Sequence, residues 1–256
     1  MFYLELNILN ISVLITVGII TGFINVMAGS GSFLTLPVMI FLGIPAPIAN
    51  GTNRIAILLQ NVVSSRSFYK HKMLPLKTAL LLSVPSIIGS LLGAWIAVDI
   101  DKNLMEIIIG VIMLIMLFFI LYKPEKWLKS HNTTENHDFK LKKWHYLLFF
   151  LIGIYGGFIQ AGVGIFLLSA LVLAAEFDIV KANAIKAFIN LLFTPFALFV
   201  FIINNQVDYS AGLILSLGSI IGAYIATKSA VKWGAVYVRW ILIVVILASS
   251  VKLLFF

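Results

Sequence analysis

The chain repeats itself, and the repeat is built from apolar sequence. Three pairs of segments share an offset of 133 residues: 83–89 (SVPSIIG) with 216–222 (SLGSIIG), 29–33 (GSGSF) with 162–166 (GVGIF), and 49–50 with 182–183. Upstream, 22–25 (GFIN) matches 157–160 (GFIQ) at an offset of 135. Because separated stretches share nearly one offset, two copies of one structural unit are fused in this polypeptide.

The composition is that of a bilayer protein. Hydrophobic residues make up 61% of the 256 positions and charged residues only 11%, whereas a soluble domain has roughly 25% charged residues. The chain has no cysteine, which excludes disulfides, thiolate nucleophiles and thiolate metal sites. The formal charge of +8 comes from bases in short loops, where they act as topology signals rather than as a nucleic-acid surface. Glu5 and no base precede the first apolar run, so we expect a retained helix rather than a signal peptide.

The apolar runs predict an all-α integral membrane protein with about ten transmembrane helices. A spanning helix needs about 20 mostly apolar residues, and the runs fall at roughly 8–28, 33–48, 51–68, 75–98, 103–122, 144–161, 165–176, 182–203, 209–229 and 235–255. The second run contains Pro37, Pro45 and Pro47, and the seventh stops at Glu176. Short or broken helices in equivalent places of two repeats are typical of a transporter's binding site.

Loop charges indicate that the two halves are inverted. The loop after the third run carries four bases, whereas its counterpart, 204–208, carries none; the loop after the fourth run is acidic and its counterpart is basic. Because cytoplasmic loops collect Lys and Arg, the halves are expected to thread the membrane oppositely. The prediction is a first five-helix repeat (1–122), a cytoplasmic linker (123–143) and a second five-helix repeat (144–256), with both termini outside.

Two basic residues lie within the predicted spans. Arg54 and Lys186 fall in the first turns of the third and eighth helices, one position apart in the repeat alignment. An ionisable group inside a membrane segment is costly to bury and indicates a functional site. The alternative is that each side chain snorkels to a nearby interface.

The same two helices carry polar stripes. Polar residues recur every three or four positions, which places them on one helix face; they are Asn50, Asn53, Gln60 or Asn61, and Ser64 on the third helix, and Asn183, Lys186, Asn190 and Thr194 on the eighth. A stripe facing lipid would be costly, so both are expected to face the protein interior. Hydrogen bonding between helices is the alternative role.

Two glycine turns each join a full helix to a short one. They contain Gly29, Ser30 and Gly31 in the first half, and Gly162 and Gly164 in the second. Glycine lets backbone approach a ligand closely, and free amides at a helix start favour an anion. Asn25 and Gln160 precede the turns and supply neutral amide donors. Opposed turns of this kind predict an anion-binding cradle.

Other chemistries find little support. The histidines fall in or beside predicted loops, and the carboxylates lie in loops or near helix ends. Neither a nucleophile with its base nor a metal-binding set is visible in the spans, so we expect no enzyme activity, no cofactor and no metal. Coupling to protons is left open.

The motifs resemble those of the TauE/SafE family, the sulfite exporter or TSUP group of membrane proteins. The resemblance spans nearly the whole chain and is carried by 22–31, 36–37, 43–45 and 49–53 in the first half and by 156–164, 181–186, 206–209 and 218–224 in the second. It implies ten helices in inverted repeats and transport of small sulfur anions, such as sulfite or short organosulfonates like sulfoacetate. Ser30 stands where relatives often have a third glycine, a departure that concerns the substrate rather than the fold.

Together these patterns predict a secondary carrier of small oxyanions in the bacterial cytoplasmic membrane. It would work by alternating access around a midplane site between the repeats. The expected substrate-binding residues are Asn25, Gly29, Ser30, Gly31, Asn50, Thr52, Asn53, Arg54, Gln160, Gly162, Gly164, Asn183, Lys186 and Asn190. A passive anion channel and a carrier of a different small organic anion are the alternatives. The anion, the direction of flux, the coupling ion and the oligomeric state are left open.

Overall fold

The computed structural model describes Leu4, residues 7–122 and residues 142–229, with the backbone alone for 116–122 and 229, and this part is all-α, as predicted. Its helices are α1 (Ile8–Ala28), α2 (Ser32–Phe41), α3 (Ala46–Lys70), α4 (Leu76–Val98), α5 (Lys102–Tyr122), α6 (Lys143–Phe158), α7 (Val163–Ser169, continued by a π-helical turn Ala170–Ala174), α8 (Ile179–Ile203) and α9 (Tyr209–Ser229). In this part of the chain α1, α4, α8 and α9 are long and apolar enough to cross a membrane. The predicted tenth run, 235–255, and nearly all of the linker lie outside the described residues.

Polar side chains fix the starts of four helices. Asn7 accepts from the amide of Asn10 at the start of α1, and Asp101, Asp178 and Asp208 accept from first-turn amides of α5, α8 and α9. These bonds satisfy amides that have no partner within the helix. The helix boundaries therefore follow from short polar residues placed between apolar runs.

The second apolar run is shorter than predicted. Helix α2 ends at Phe41, Gly43 adopts a left-handed φ of 92°, and α3 begins at Ala46 rather than near residue 51. Proline is tolerated at the start of a helix because its missing amide hydrogen would have no partner there. Pro45 and Pro47 therefore open α3 instead of closing α2, which corrects the predicted boundary.

The helices pair in a pattern that repeats when the halves are exchanged. The pair α1 and α9 corresponds to α6 and α4, and the pair α3 and α9 corresponds to α8 and α4. Helices α3 and α8 contact each other directly. The two helices with polar stripes therefore lie together at the centre, where the stripe residues Asn53 and Thr194 are fully buried.

Glycines bring the paired helices into backbone contact. A Cβ on Gly22 would overlap the backbone of Ser219 on α9, and a Cβ on Gly157 would overlap that of Ser90 on α4. Small residues allow this close approach between membrane helices. The two main interfaces therefore depend on the absence of a side chain.

The packing register of α4 and α9 differs from their sequence match. Gly89 of α4 contacts the backbone of Phe150 and Ile154 on α6. At the offset of 135, the counterparts of these two residues on α1 are Ile15 and Ile19. The glycine of α9 that contacts both of them is Gly218 rather than Gly222. A difference of four residues is about one helical turn. The offset read from the matching segments 83–89 and 216–222 therefore does not give the packing equivalence, because a helix can slide by one turn and keep its glycine face inward.

Gly22→Val tests the α1–α9 interface. The added side chain overlaps the Ser219 backbone, which cannot move aside, so we expect a loss of about 1–3 kcal/mol or more in stability. Thermal unfolding of the purified protein in detergent measures it. Ile20→Val places the same residue on the exposed face of α1 and should melt like wild type. Equal melting of both variants would contradict this contact between α1 and α9.

Candidate functional site

A small polar cavity lies beside the two glycine turns, and its volume of about 10 Å³ is close to the space that one water molecule needs. Residues from α1, α2, α3, α6, α7 and α8 or their turns line it: Asn25, Gly29, Ser32, Ile57, Gln60, Asn61, Gln160, Val163, Gly164 and Asn190. Five of the ten are neutral amides and none is charged. This volume is far below the roughly 300–1,000 Å³ of sites for drug-sized ligands, so in this conformation only a group about the size of a water molecule fits without movement of the surrounding helices.

The two glycine turns touch each other through their backbones. Gly29 and Gly162 have left-handed φ values of 75° and 74°, a conformation that glycine adopts without strain. A Cβ on Gly29 would overlap Gly164, and a Cβ on Gly164 would overlap Gly29. The end of α1 and the start of α7 therefore meet at a point where neither residue can carry a side chain.

Arg54 is fully buried and binds the end of α6. Its guanidinium donates to the carbonyls of Gly156 (3.0 Å) and Gly157 (2.6 Å) and to Oε1 of Gln160 (2.9 Å). It also lies 4.5 Å from the centre of the Phe201 ring. The last carbonyls of a helix have no partner within it and carry partial negative charge, so they stabilise the buried cation.

Lys186 binds the end of α1 as Arg54 binds the end of α6. Its Nζ donates to the carbonyls of Asn25 (2.9 Å) and Val26 (3.0 Å) and to Oδ1 of Asn183 (2.6 Å). Each half of the chain thus supplies one cation that binds the C-terminal end of a helix in the other half. Neither cation pairs with a carboxylate among the described residues, and neither lines the cavity.

Asn25 and Gln160 connect the helix ends to the cavity. Asn25 Oδ1 accepts from the amide of Gly31 (2.7 Å), and its Nδ2 donates to Oε1 of Gln60 (3.4 Å). Gln160 Oε1 accepts from Arg54, and its Nε2, which is buried, has no partner among the described residues. The amide of Gly31, which the sequence offers to an anion, is therefore bonded to Asn25.

Three other predicted residues, Asn50, Thr52 and Asn53, hold neighbouring segments together. Asn53 accepts from Thr35 (2.7 Å) and donates to Ser32 (3.0 Å), both on α2. Thr52 accepts from the amide of Asp208 (2.8 Å). Asn50 donates to the carbonyl of Phe158 (2.8 Å), Asn183 accepts from Lys186, and the hydroxyl of Ser30 is buried without a partner among the described residues.

The sequence profile of the family described as "Sulfite exporter TauE/SafE" matches residues 14–253. The chain belongs to the TauE/SafE family. A Sinorhizobium sp. protein named "Probable membrane transporter protein ORF9" is 29% identical over 92% of this chain and 88% of its own length. A Haemophilus influenzae protein named "Probable membrane transporter protein" is 24% identical over 98% of this chain and 97% of its own.

A further relative, from Bacillus subtilis, is named "Probable membrane transporter protein YunE" and is 22% identical over 91% of this chain and 94% of its own length. No solved structure matches the chain significantly. The names of these relatives and the four apolar helices agree in placing this TauE/SafE protein among multi-pass membrane transporters.

The structure of this TauE/SafE protein brings part of the predicted set to one cavity. Asn25, Gly29, Gln160, Gly164 and Asn190 line it, and Arg54 and Lys186 stand one layer behind. The predicted set lacks five residues that line the cavity: Ser32, Ile57, Gln60, Asn61 and Val163. The polar stripe of α3 already contained Gln60 and Asn61, and that stripe was the available signal for them.

Lys186→Met tests the binding of α1 by the buried cation. Methionine keeps the length of the side chain but removes the Lys186 donor from the carbonyl of Val26 and from Oδ1 of Asn183, while the carbonyl of Asn25 keeps its bond from the amide of Gly29. We expect a loss of about 1–3 kcal/mol in stability, measured by thermal unfolding in detergent. Lys181→Met is the matched control on the same helix, because Lys181 is exposed and pairs only with Asp178. A Lys186→Met protein as stable as the control would contradict this role.

Proposed function

We propose that this TauE/SafE protein is a secondary carrier of small sulfur-containing oxyanions, such as sulfite or sulfoacetate, and not an enzyme. The observation that carries the proposal is the amide-lined cavity beside the two glycine turns. No carboxylate lines it, and two cations lie one layer behind its wall. A buried site with neutral donors and nearby positive charge favours an anion over a cation.

Alternating access around this cavity would use two inverted repeats of five helices each. The exchange pattern of helix pairs, the short helices α2 and α7 and the reversal of loop charge between the halves support this arrangement. Broken helices facing each other at a repeat interface form the substrate site in several transporter folds. The proposed repeats are 1–122 and 144–256, joined by a linker.

The orientation follows from the basic loops. With the linker 123–143 in the cytoplasm and both termini outside, most of the lysines and arginines face the cytoplasm, as expected for a protein of the bacterial cytoplasmic membrane. Helices α3 and α8 would then cross in opposite directions. The loops that follow them would lie on opposite sides.

Uptake of labelled sulfite into proteoliposomes tests the carrier. We expect saturable uptake that thiosulfate, sulfoacetate or sulfate reduces to different extents. Gln160→Glu keeps the acceptor for Arg54 but replaces the Nε2 donor with a carboxylate oxygen. Its apparent affinity should fall at least tenfold, because a hydrogen bond to a charged group contributes about 1.5–3 kcal/mol.

Asn204→Asp is the matched control for this uptake assay. It makes the same chemical change at an exposed amide at the end of α8, so sulfite uptake should match that of wild type. Uptake that rises linearly with concentration would support a passive channel instead of a carrier. Absence of uptake for every sulfur anion would reject the proposed substrate class.

Cysteine labelling tests the inverted threading. The chain has no native cysteine, so Lys70→Cys and Asn205→Cys each introduce a single label site. Both positions are exposed, after α3 and α8 respectively. A membrane-impermeant maleimide added to intact cells should label Asn205→Cys and not Lys70→Cys, and lysed cells should label both. Labelling of both sites from the same side would reject the inversion.

A further inference from the structure

The polarity of the cavity is set by groups behind its wall. A side-chain amide has a donor end and an acceptor end, and a fixed partner decides which end remains for a ligand. Arginine carries only donors, so its bond with Gln160 fixes Oε1 toward Arg54 and leaves Nε2 as the free end. Gln160 therefore offers a donor, and it is 2% exposed.

The two lining amides of α3 are also fixed by their partners. The backbone amide of Gly31 donates to Oδ1 of Asn25, so Nδ2 is the end of Asn25 that donates to Oε1 of Gln60. Nε2 of Gln60 therefore remains as a second donor for a ligand. Asn61 Nδ2 donates to the carbonyl of Ile57 in its own helix at 2.7 Å. A backbone carbonyl only accepts, so the free end of Asn61 is its Oδ1, an acceptor.

The charge of the cavity complements this pattern. Of the buried or half-buried titratable side chains on the helices around it, Arg54, Lys186 and Tyr155 each donate to backbone carbonyls. The others, His145 and Tyr146 on α6 and Asp178 at the start of α8, lie at helix ends. No full charge therefore reaches the ligand directly, and a dianion would lose its water shell without a cation in contact.

We propose that the cavity selects a singly charged oxyanion that keeps one O–H group, the hydrogen sulfite form rather than the sulfite dianion. The donors Gln160 Nε2 and Gln60 Nε2 bind oxygen atoms of the ligand, and Asn61 Oδ1 accepts from its O–H. Asn190, whose Oδ1 has no partner among the described residues, completes the polar lining. This inference rests on the proposed function and narrows its substrate class.

Binding to the purified full chain in detergent, measured by isothermal titration calorimetry, tests the inference. The ligands are total sulfite below and above its second ionisation, sulfate as a dianion and methanesulfonate as a monoanion without an O–H. Above that ionisation, the apparent Kd for total sulfite should rise about tenfold per pH unit, because only the protonated fraction binds. Sulfate and methanesulfonate should each bind at least tenfold more weakly than hydrogen sulfite.

Asn61→Leu isolates the acceptor. Leucine is close to asparagine in size and gives up only a bond within α3. The preference for hydrogen sulfite over methanesulfonate should fall about tenfold, while Asn204→Asp keeps the wild-type preference. Unchanged thermal unfolding of Asn61→Leu shows that the variant is folded.

Three results would overturn the inference. An apparent sulfite affinity that is constant or improves as pH rises, sulfate binding equal to that of hydrogen sulfite, or a wild-type preference in Asn61→Leu would each reject it while leaving the proposed anion carrier intact. Absence of binding for all three anions at both pH values would reject the inference and the proposed function together.

Discussion

The architecture depends on the burial of two cations by helix ends. Arg54 and Lys186 are at most 2% exposed, and a charge in such a place is costly unless it is bonded. Each one donates to two last-turn carbonyls and one side-chain amide oxygen. The carbonyls need donors and the cations need acceptors, so each offsets the burial of the other, and Nε of Arg54 alone among these cationic donors has no partner among the described residues. Since the bonds to the backbone carbonyls cross between the halves, these contacts fix the ends of α1 and α6 beside the cavity.

The glycine contacts complete this arrangement. Without side chains at Gly22 and Gly157, α1 lies directly against α9 and α6 against α4. Close backbone approach brings the ends of α1 and α6 within reach of the buried cations. The turn at Gly29 then contacts Gly164, which leaves the cavity walled by amides and backbone. The glycines at the helix interfaces and the two cations bound to the ends of α1 and α6 therefore fix the geometry of the cavity together.

Much of this organisation could be predicted from the sequence, because the repeat gives each feature a counterpart. The glycine turns, the polar stripes and the pair Arg54 and Lys186 were all visible as patterns. The start of α3 was misplaced because proline signals both the end and the beginning of a helix. The packing register of α4 and α9 does not follow from the matching segments 83–89 and 216–222, because packing depends on which small residue faces the neighbouring helix.

The roles of individual polar residues were harder to predict. A stripe identifies the face that points inward, but partners decide what each residue does there. Both ends of the Asn53 amide form hydrogen bonds with α2. One end of the Asn61 amide binds a carbonyl of its own helix, and one end of the Gln160 amide binds Arg54. These bonds join residues 106 positions apart in one case and four in another. No local pattern distinguishes an amide with a free end from one without.

Placing the cations behind amides has a physical consequence for the proposed carrier. An anion in direct contact with a buried Arg or Lys would form a strong pair, and separating it would leave an unpaired charge. A carrier has to release its substrate in each cycle, and tight binding of one state slows the exchange between states. Because Arg54 binds Gln160, the cation fixes the orientation of the Gln160 amide and adds a positive electrostatic potential in the cavity. The ligand itself forms and breaks hydrogen bonds with neutral groups only. Selection for negative charge and easy release can then coexist in one cavity.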